Sequence, residues 1–323
     1  MSSINLPRKL MLAAVAVLMS SSVAGAETTL RVPAVSRTIF YLPAWTAEKQ
    51  GFFKQEGLDV KIEVYDSSEK IFHDLRAGTH QIGIASIESV IAESYQGGKL
   101  KIVAGLAKRP PHFIIAQPEI KSLAELKGKT IGVVSMHEGT TFFIADIARA
   151  GGFKLEDVKV EAVGGSPTRQ RLLKERKIDM GLQPYPLSYE AEAAGFSNLG
   201  AMAKLVPDYQ FVSVMVDDGW AKANRAALVG FLKALRRGTE YMFAHPDESA
   251  VLGAKELRTS QAFARRALDD TLSMDILSRD LSLTDASLRR VFNIMQQAGA
   301  LPRETPFEPA RFVDESYLAE SRR

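Results

Sequence analysis

The hydrophobic pattern along the chain switches repeatedly between period two and period 3.6. Val60, Ile62 and Val64 alternate with Lys61 and Glu63, which predicts a strand with one wet face. Ser67 stands where a cap belongs, ahead of a helix that buries Ile71, Phe72 and Leu75 and stops at Gly78. Gln81 to Ala85 reads as a short buried parallel strand, Ser86 as the cap of the next helix, and Gly97-Gly98 as its end. Lys101 to Leu106 predicts another strand. The cycle repeats with strands at Thr130 to Val134, Val158 to Val163 and Ile178 to Leu182. Helices are predicted from Gly139 to Ala150, after Pro167 in a first helical turn, and from Pro186 to Ala194. Ser122 with Glu125 forms a capping-box pattern. Phe211 to Val216 is the last strand, and beyond residue 220 the pattern is almost wholly helical.

Repeated βα units mean mostly parallel sheets flanked by helices. Their number exceeds what one sheet needs, and Thr130 to Leu205 looks self-contained between crossing strands at Phe113 to Gln117 and Phe211 to Val216. The fold class is therefore a two-lobed α/β architecture with two sheets, a cleft between the lobes and a helical C-terminal part. Residues 27–113 and 214–323 are expected in lobe 1 and residues 114–213 in lobe 2. Parallel sheets take ligands beyond the carboxyl ends of their strands, which here face the cleft.

The first 26 residues break this pattern. Arg8 and Lys9 precede an unbroken apolar run from Leu10 to Met19, and a small-residue stretch ends in Ala24-Gly25-Ala26. This is the layout of a cleaved secretory signal, with a mature start at Glu27. The run would rise only about 15 Å as a helix, half a bilayer. A lipoprotein would need a cysteine after the cleavage site, and the chain has none. The expected product is free, periplasmic and monomeric.

Composition narrows the chemistry. Hydrophobic residues make up 46% and charged residues 24%, the balance of a folded globular protein. A net charge of +3 is too balanced for a dedicated nucleic-acid binder. Without cysteine there are no disulfides, thiolate nucleophiles or thiolate zinc sites. Gly128-Lys129-Thr130 lacks the glycine of a phosphate loop and precedes a strand instead of following one. Ser67-Ser68-Glu69-Lys70 matches S-x-x-K without the partner motifs. The five histidines show no metal-ligand spacing, so neither metal nor cofactor is expected.

What remains are strand-to-helix junctions rich in small polar residues: Ser86 to Ser89, Ser135 through Gly139-Thr140-Thr141, and Gly164 to Arg169. Helix N-termini present unpaired N–H groups and about half a positive charge, so several facing one cleft form an anion site. Arg37, Arg109 and Arg169 lie near such junctions and suit planar recognition of carboxylate or sulfonate. Phe40, Tyr41, His112, Phe142, Tyr185 and Tyr209 could hold an aromatic body. Glu88 opposes this reading, because a carboxylate in a first helical turn repels an anion unless it pairs with an arginine. Each serine, threonine and aromatic taken alone is better read as a cap or a core residue, and it is the set that points to a ligand.

Tyr41-Leu42-Pro43-Ala44-Trp45, Glu48 to Phe53 and Glu56-Gly57-Leu58-Asp59-Val60 resemble the opening of periplasmic solute-binding proteins. The family in question serves transporters for nitrate, sulfonate, taurine and thiamine-precursor pyrimidines. Leu75 to Gly78 with Gln81 to Ala85 is similar to its strand element, with Gln81 in place of the usual aspartate. Ser122 to Val133, Ile178-Asp179-Met180 before Pro184, and Phe312 to Leu318 complete the resemblance.

The resemblance implies two lobes that close on one small molecule and hand it to an ABC-transporter permease driven by a cytoplasmic ATPase. It places ligand contacts at Ser36 to Tyr41, Ser86 to Ser89, Ser135 to Thr141, Ser166 to Arg169 and Pro184-Tyr185. One class of relatives makes the thiamine pyrimidine as an enzyme through cysteine-rich and histidine motifs, and the missing cysteines count against that activity here. The expected ligand is a small organic anion, an aromatic carboxylate or sulfonate. The alternatives are a neutral pyrimidine, an aliphatic sulfonate, or the same cleft used as a ligand sensor.

Overall fold

The computed structural model describes residues 28–35, 37–65, 68–136 and 139–323. The expected signal segment, Ser36 and the Ser67 cap lie outside the described residues. The chain opens with β1 (Thr28–Val35), a 3-10 turn at Ile39–Tyr41, α1 (Leu42–Lys49) and the single-turn α2 (Phe52–Gln55). Next come β2 (Leu58–Tyr65), α3 (Ser68–Arg76), β3 (Ile82–Ala85), α4 (Glu88–Ser94) and β4 (Leu100–Ala107). A second run holds β5 (His112–Ala116), β6 (Thr130–Val133), α5 (Gly139–Gly151), β7 (Lys159–Ala162) and α6 (Ser166–Lys174). It ends with β8 (Met180–Pro184), α7 (Leu187–Ala193), β9 (Ser197–Ala201) and α8 (Met202–Leu205). β10 (Val212–Asp217) leads into α9 (Asp218–Ala223), α10 (Arg225–Ala244) and α11 (Pro246–Leu257). The last helices are α12 (Gln261–Ser273), α13 (Asp285–Gln297) and α14 (Ser316–Ser321).

The strands form two five-stranded sheets, ordered β2-β1-β3-β10-β4 and β7-β6-β8-β5-β9. Each sheet is mixed. In the first, β1 runs parallel to β2 and β3 while β10 is antiparallel to β3 and β4. In the second, β6 runs parallel to β7 and β8 while β5 is antiparallel to β8 and β9. The reversals have one cause. β5 and β10 arrive straight from the other sheet, enter at the carboxyl ends of their neighbours, and must run against them. β5 is a whole member of the second sheet and β10 of the first, so the connections between sheets run through 108–111 and 206–211.

Central strands are buried throughout, as sheets covered on both faces require: β3 and β8 have no exposed residue. β2 and β7 are edges and carry mixed burial, with Val64 left 38% exposed. The helices after Trp220 return to the first sheet. α10 packs on α1, where Gly238 is required because a side chain there would meet Ala47 Cβ at 2.8 Å and overlap the Pro43 carbonyl. Val313 and Leu277 bridge to Ile102 and Ala107 of β4.

Two local expectations change. Ser122 and Glu125 start only a 3-10 turn, in which the Ser122 hydroxyl donates to Glu125 at 3.1 Å and the Lys121 N–H does so at 2.8 Å. Ser86 does not cap α4, whose N-cap position is Ile87 with no side-chain cap bond. β9 and α8 were not signalled by the sequence, because Asn198 and Gly200 depress strand propensity on this edge.

Candidate functional site

Between the two sheets lies a small cavity of about 60 Å³. At roughly 15 Å³ per water-sized group it has room for about four, the size of one carboxylate or sulfonate head. Val35, Phe40, Tyr41 and Ser86 reach it from the first sheet's carboxyl ends. Val134, Gly139, Thr140, Gly165, Ser166, Arg169 and Pro184 reach it from the second. His112 opens β5, Val212 opens β10 and Phe211 ends the second connection, and the His112 and Phe211 rings meet edge-on at 5.0 Å. Phe211 also meets Phe40 edge-on at 5.8 Å, giving one wall an aromatic lining.

The opposite wall is polar and built from helix starts. α5 begins at Gly139-Thr140 and α6 at Ser166, behind the extended Gly165 cap. Arg169 sits one turn into α6 and is 2% exposed. Its Nε and Nη2 donate to the Leu182 carbonyl at 3.2 and 3.0 Å, its Nη1 to the Gly164 carbonyl at 2.8 Å, and its Nη2 to Ser166 Oγ at 2.9 Å. These neutral acceptors orient the guanidinium, and its charge is felt at His112. Burial first, and then Arg169, pull the His112 imidazole down to about 3, so the ring is neutral at physiological pH. The Thr140 hydroxyl and His112 Nδ1 are buried and have no hydrogen-bond partner among the described residues. A buried polar atom without a partner costs about 1–3 kcal/mol, which a ligand that bonds to it would recover.

Glu88, on α4, does not line the cavity but stands behind its wall against Gly139. It is 1% exposed and accepts a short hydrogen bond from the Tyr209 hydroxyl. Burial raises its carboxyl above the usual range, against the lowering effect of the Tyr209 bond. Glu88 therefore has the Tyr209 hydroxyl as its partner and no arginine among the described residues, and its burial disfavours the charged form that would oppose an anion. Its placement also explains Gly139: a side chain there would overlap Glu88 Oε1 and stand 2.9 Å from Tyr209 Oη.

Of the residues the sequence proposes, the cavity brings together Phe40, Tyr41, Ser86, His112, Gly139, Thr140, Ser166 and Arg169. Tyr41 is also a strut, donating to the Ile84 carbonyl at 3.1 Å and accepting from the Val35 N–H at 2.9 Å. Besides Glu88, seven others lie elsewhere. Arg37 turns outward to the Glu256 carbonyl at 2.9 Å and the Glu256 carboxylate at 3.3 Å, at the end of α11. Arg109 donates to the Met274 carbonyl at 2.8 Å and lies 3.9 Å from Asp275. Thr141 gives its hydroxyl to the Ser135 carbonyl, and neither residue lines the cavity. Tyr185 is fully buried beneath Pro184, stacked on Tyr189 with its hydroxyl 3.6 Å from Met274 Sδ. Phe142 faces a separate groove with Met136 and Leu155, while Tyr209 stands behind the wall as the partner of Glu88. Phe211 escaped the sequence reading because it was counted into a strand. Its signal was available, since a residue on a connection between lobes must border the cleft.

The family model described as NMT1/THI5 like matches residues 40–249. A Brucella abortus (strain 2308) protein named as a binding protein is 28% identical over 219 residues, 67% of each chain. The 4-amino-5-hydroxymethyl-2-methylpyrimidine phosphate synthase of Saccharomyces cerevisiae is 24% identical over 226 residues, 65% of each chain. The alkanesulfonate-binding protein SsuA from Xanthomonas axonopodis pv. citri, solved bound to MOPS, aligns with a TM-score of 0.71 at 13% identity, over 86% of this chain and 96% of that one. The shared fold is that of periplasmic binding proteins. No helix among the described residues is long and apolar enough to cross a membrane.

Proposed function

The chain belongs to the NMT1/THI5-like family, and from that premise we propose that it is the solute-binding component of an ABC importer and captures a small organic anion between its lobes. The observation that carries the reading is the chamber itself. It has room for one acid head, and the starts of α5 and α6, the Thr140 and Ser166 hydroxyls and the Arg169 guanidinium share its polar wall. The rings of Phe40, His112 and Phe211 close the other side of the chamber around that head, and an aromatic carboxylate or sulfonate is the favoured ligand, its ring lying beyond the chamber. SsuA bound to MOPS supplies a precedent in the same fold for a sulfonate with a ring-bearing body. The acceptor of the ligand would be a membrane permease with its cytoplasmic ATPase. The signal-like segment supports a periplasmic address, with the mature chain starting at Glu27.

We read the chain with the binding proteins of its family rather than with the synthases, because it lacks cysteine altogether. A thermal-shift screen with benzoate, benzenesulfonate, alkanesulfonates and 4-amino-pyrimidines tests the reading. A ligand at a hundred times its dissociation constant stabilises the fold by about 2.7 kcal/mol. Stabilisation by the acids alone is the expected result. Stabilisation by pyrimidines alone would overturn the anion reading.

A further inference from the structure

The chamber holds an acid head but not a ring, so the rest of any organic ligand must lie outside it. A second cavity of about 710 Å³ adjoins it, sharing Val35 and Gly165 as common walls. This volume falls in the ordinary range of sites for small organic molecules. Its walls come from both lobes, with apolar surface from Val64, Tyr65 and Leu257 on one side and Leu187 on the other. Val64, left exposed at the end of β2, acquires a purpose as part of that surface.

The charges around this outer cavity are mostly accounted for. Arg37 is held by Glu256, Lys70 by Asp74 at 2.8 Å, and Glu190 accepts from Thr259 Oγ1 at 2.9 Å. Arg258 differs. Its side chain makes no ion pair or hydrogen bond among the described residues, and it is exposed toward the cavity it lines. Its backbone is left-handed, φ 55° and ψ 49°, at the C-cap of α11. Glycine is the usual residue at such a cap, and a long branched side chain is disfavoured there.

We propose that the ligand is an elongated diacid: one acidic head enters the chamber beside Arg169, the body lies in the outer cavity, and Arg258 receives the second acidic group. This deepens the anion reading and rests on it. The body crosses the Val35–Gly165 edge and covers Val64 and Leu257, while the far charge meets the one cation there that has no partner among the described residues.

The test is isothermal calorimetry on the full mature protein. The probes are α,ω-dicarboxylates of rising chain length, terephthalate, and the matching monocarboxylates including benzoate. At the best length the diacid should bind at least ten-fold tighter than its monoacid. Arg258→Gly should lower the diacid to the monoacid affinity measured on the unsubstituted protein, with a thermal midpoint unchanged or raised because glycine suits the left-handed cap. Arg258→Lys should keep part of the advantage. If monoacids bind and diacids bind no better at any length, the inference fails while the anion reading stands. If Arg258→Gly weakens mono- and diacids equally, Arg258 is not a second-acid contact. If neither binds, nor benzenesulfonate beside them, the anion reading falls and the inference with it.

Discussion

Replacing Gly139 by alanine should strain the contact between the lobes. Glu88 hangs from α4 on the first sheet and Gly139 opens α5 on the second, so an added methyl group acts across the cleft. The methyl overlaps Glu88 Oε1 and stands 2.9 Å from Tyr209 Oη. Both side chains are buried, so the carboxyl can give way only by abandoning its bond to Tyr209. Losing a buried hydrogen bond to an acidic group costs about 1–3 kcal/mol. Gly139 is the first residue of α5, so the interior helix-propensity gain of alanine, about 0.5–1 kcal/mol, is an upper limit to what is returned. The net expectation is a loss of about 1–2 kcal/mol, read as a lower urea midpoint with tryptophan fluorescence as the probe. In a Glu88→Ala background the larger overlap is gone and only the 2.9 Å approach to Tyr209 Oη remains, so the same substitution should cost distinctly less. The cycle therefore carries a coupling of about 1–3 kcal/mol. Strictly additive effects of the two substitutions would refute the placement of Glu88 against α5, and Gly139 would then serve only the ligand.

Arg169→Met should cost the acid head about 2–5 kcal/mol of affinity, measured by calorimetry with whichever acid the screen selects. It should also destabilise the fold by about 1–3 kcal/mol through the unpaired Leu182 and Gly164 carbonyls; unchanged affinity would remove Arg169 from the site. Arg109→Ala should cost about 0.5–1.5 kcal/mol of stability, through its Met274 bond, and leave acid affinity unchanged. His112 is neutral when folded down to about pH 3, whereas in the unfolded chain it takes a proton near its ordinary 6.5. Its contribution to stability is therefore present above pH 6.5 and is lost as pH falls toward 3, at up to about 1.4 kcal/mol per unit. Urea midpoints against pH should show that part of the slope missing in His112→Asn. Intact mass spectrometry of protein recovered from the periplasm should give a chain starting at Glu27; a chain that keeps Leu10 to Met19 would contradict the processing reading.

Periodicity carried most of the architecture, because strand and helix repeats follow directly from which faces are buried. Strand direction was less legible. Nothing in Phe211 to Val216 announces that it runs against its neighbours; that follows from arriving through the cleft. The helix starts at Gly139-Thr140 and Gly165-Ser166 were visible as small polar clusters, and the structure turns both toward one cavity. The loop arginines were not legible in the same way. Arg37 finds Glu256 at a separation of 219 residues and Arg109 finds Met274 at 165, and a long flexible side chain in a loop gives no local sign of such partners. Arg169 differs because the start of α6 fixes its backbone beside the cavity before its side chain chooses acceptors.

His112 and Phe211 stand at the ends of the two stretches that join the sheets, and their rings touch. The segments that would bend when the lobes part are therefore also the surface a ligand presses against. On the binding-protein reading proposed above, a ligand that wedges or relaxes that ring pair would change the resting angle of the molecule without a relay of other side chains. Selection acting on pocket shape at these two positions acts equally on the swing of the lobes. Variants that broaden the range of molecules accepted should also alter how far the protein closes, and with it the shape offered to a downstream partner.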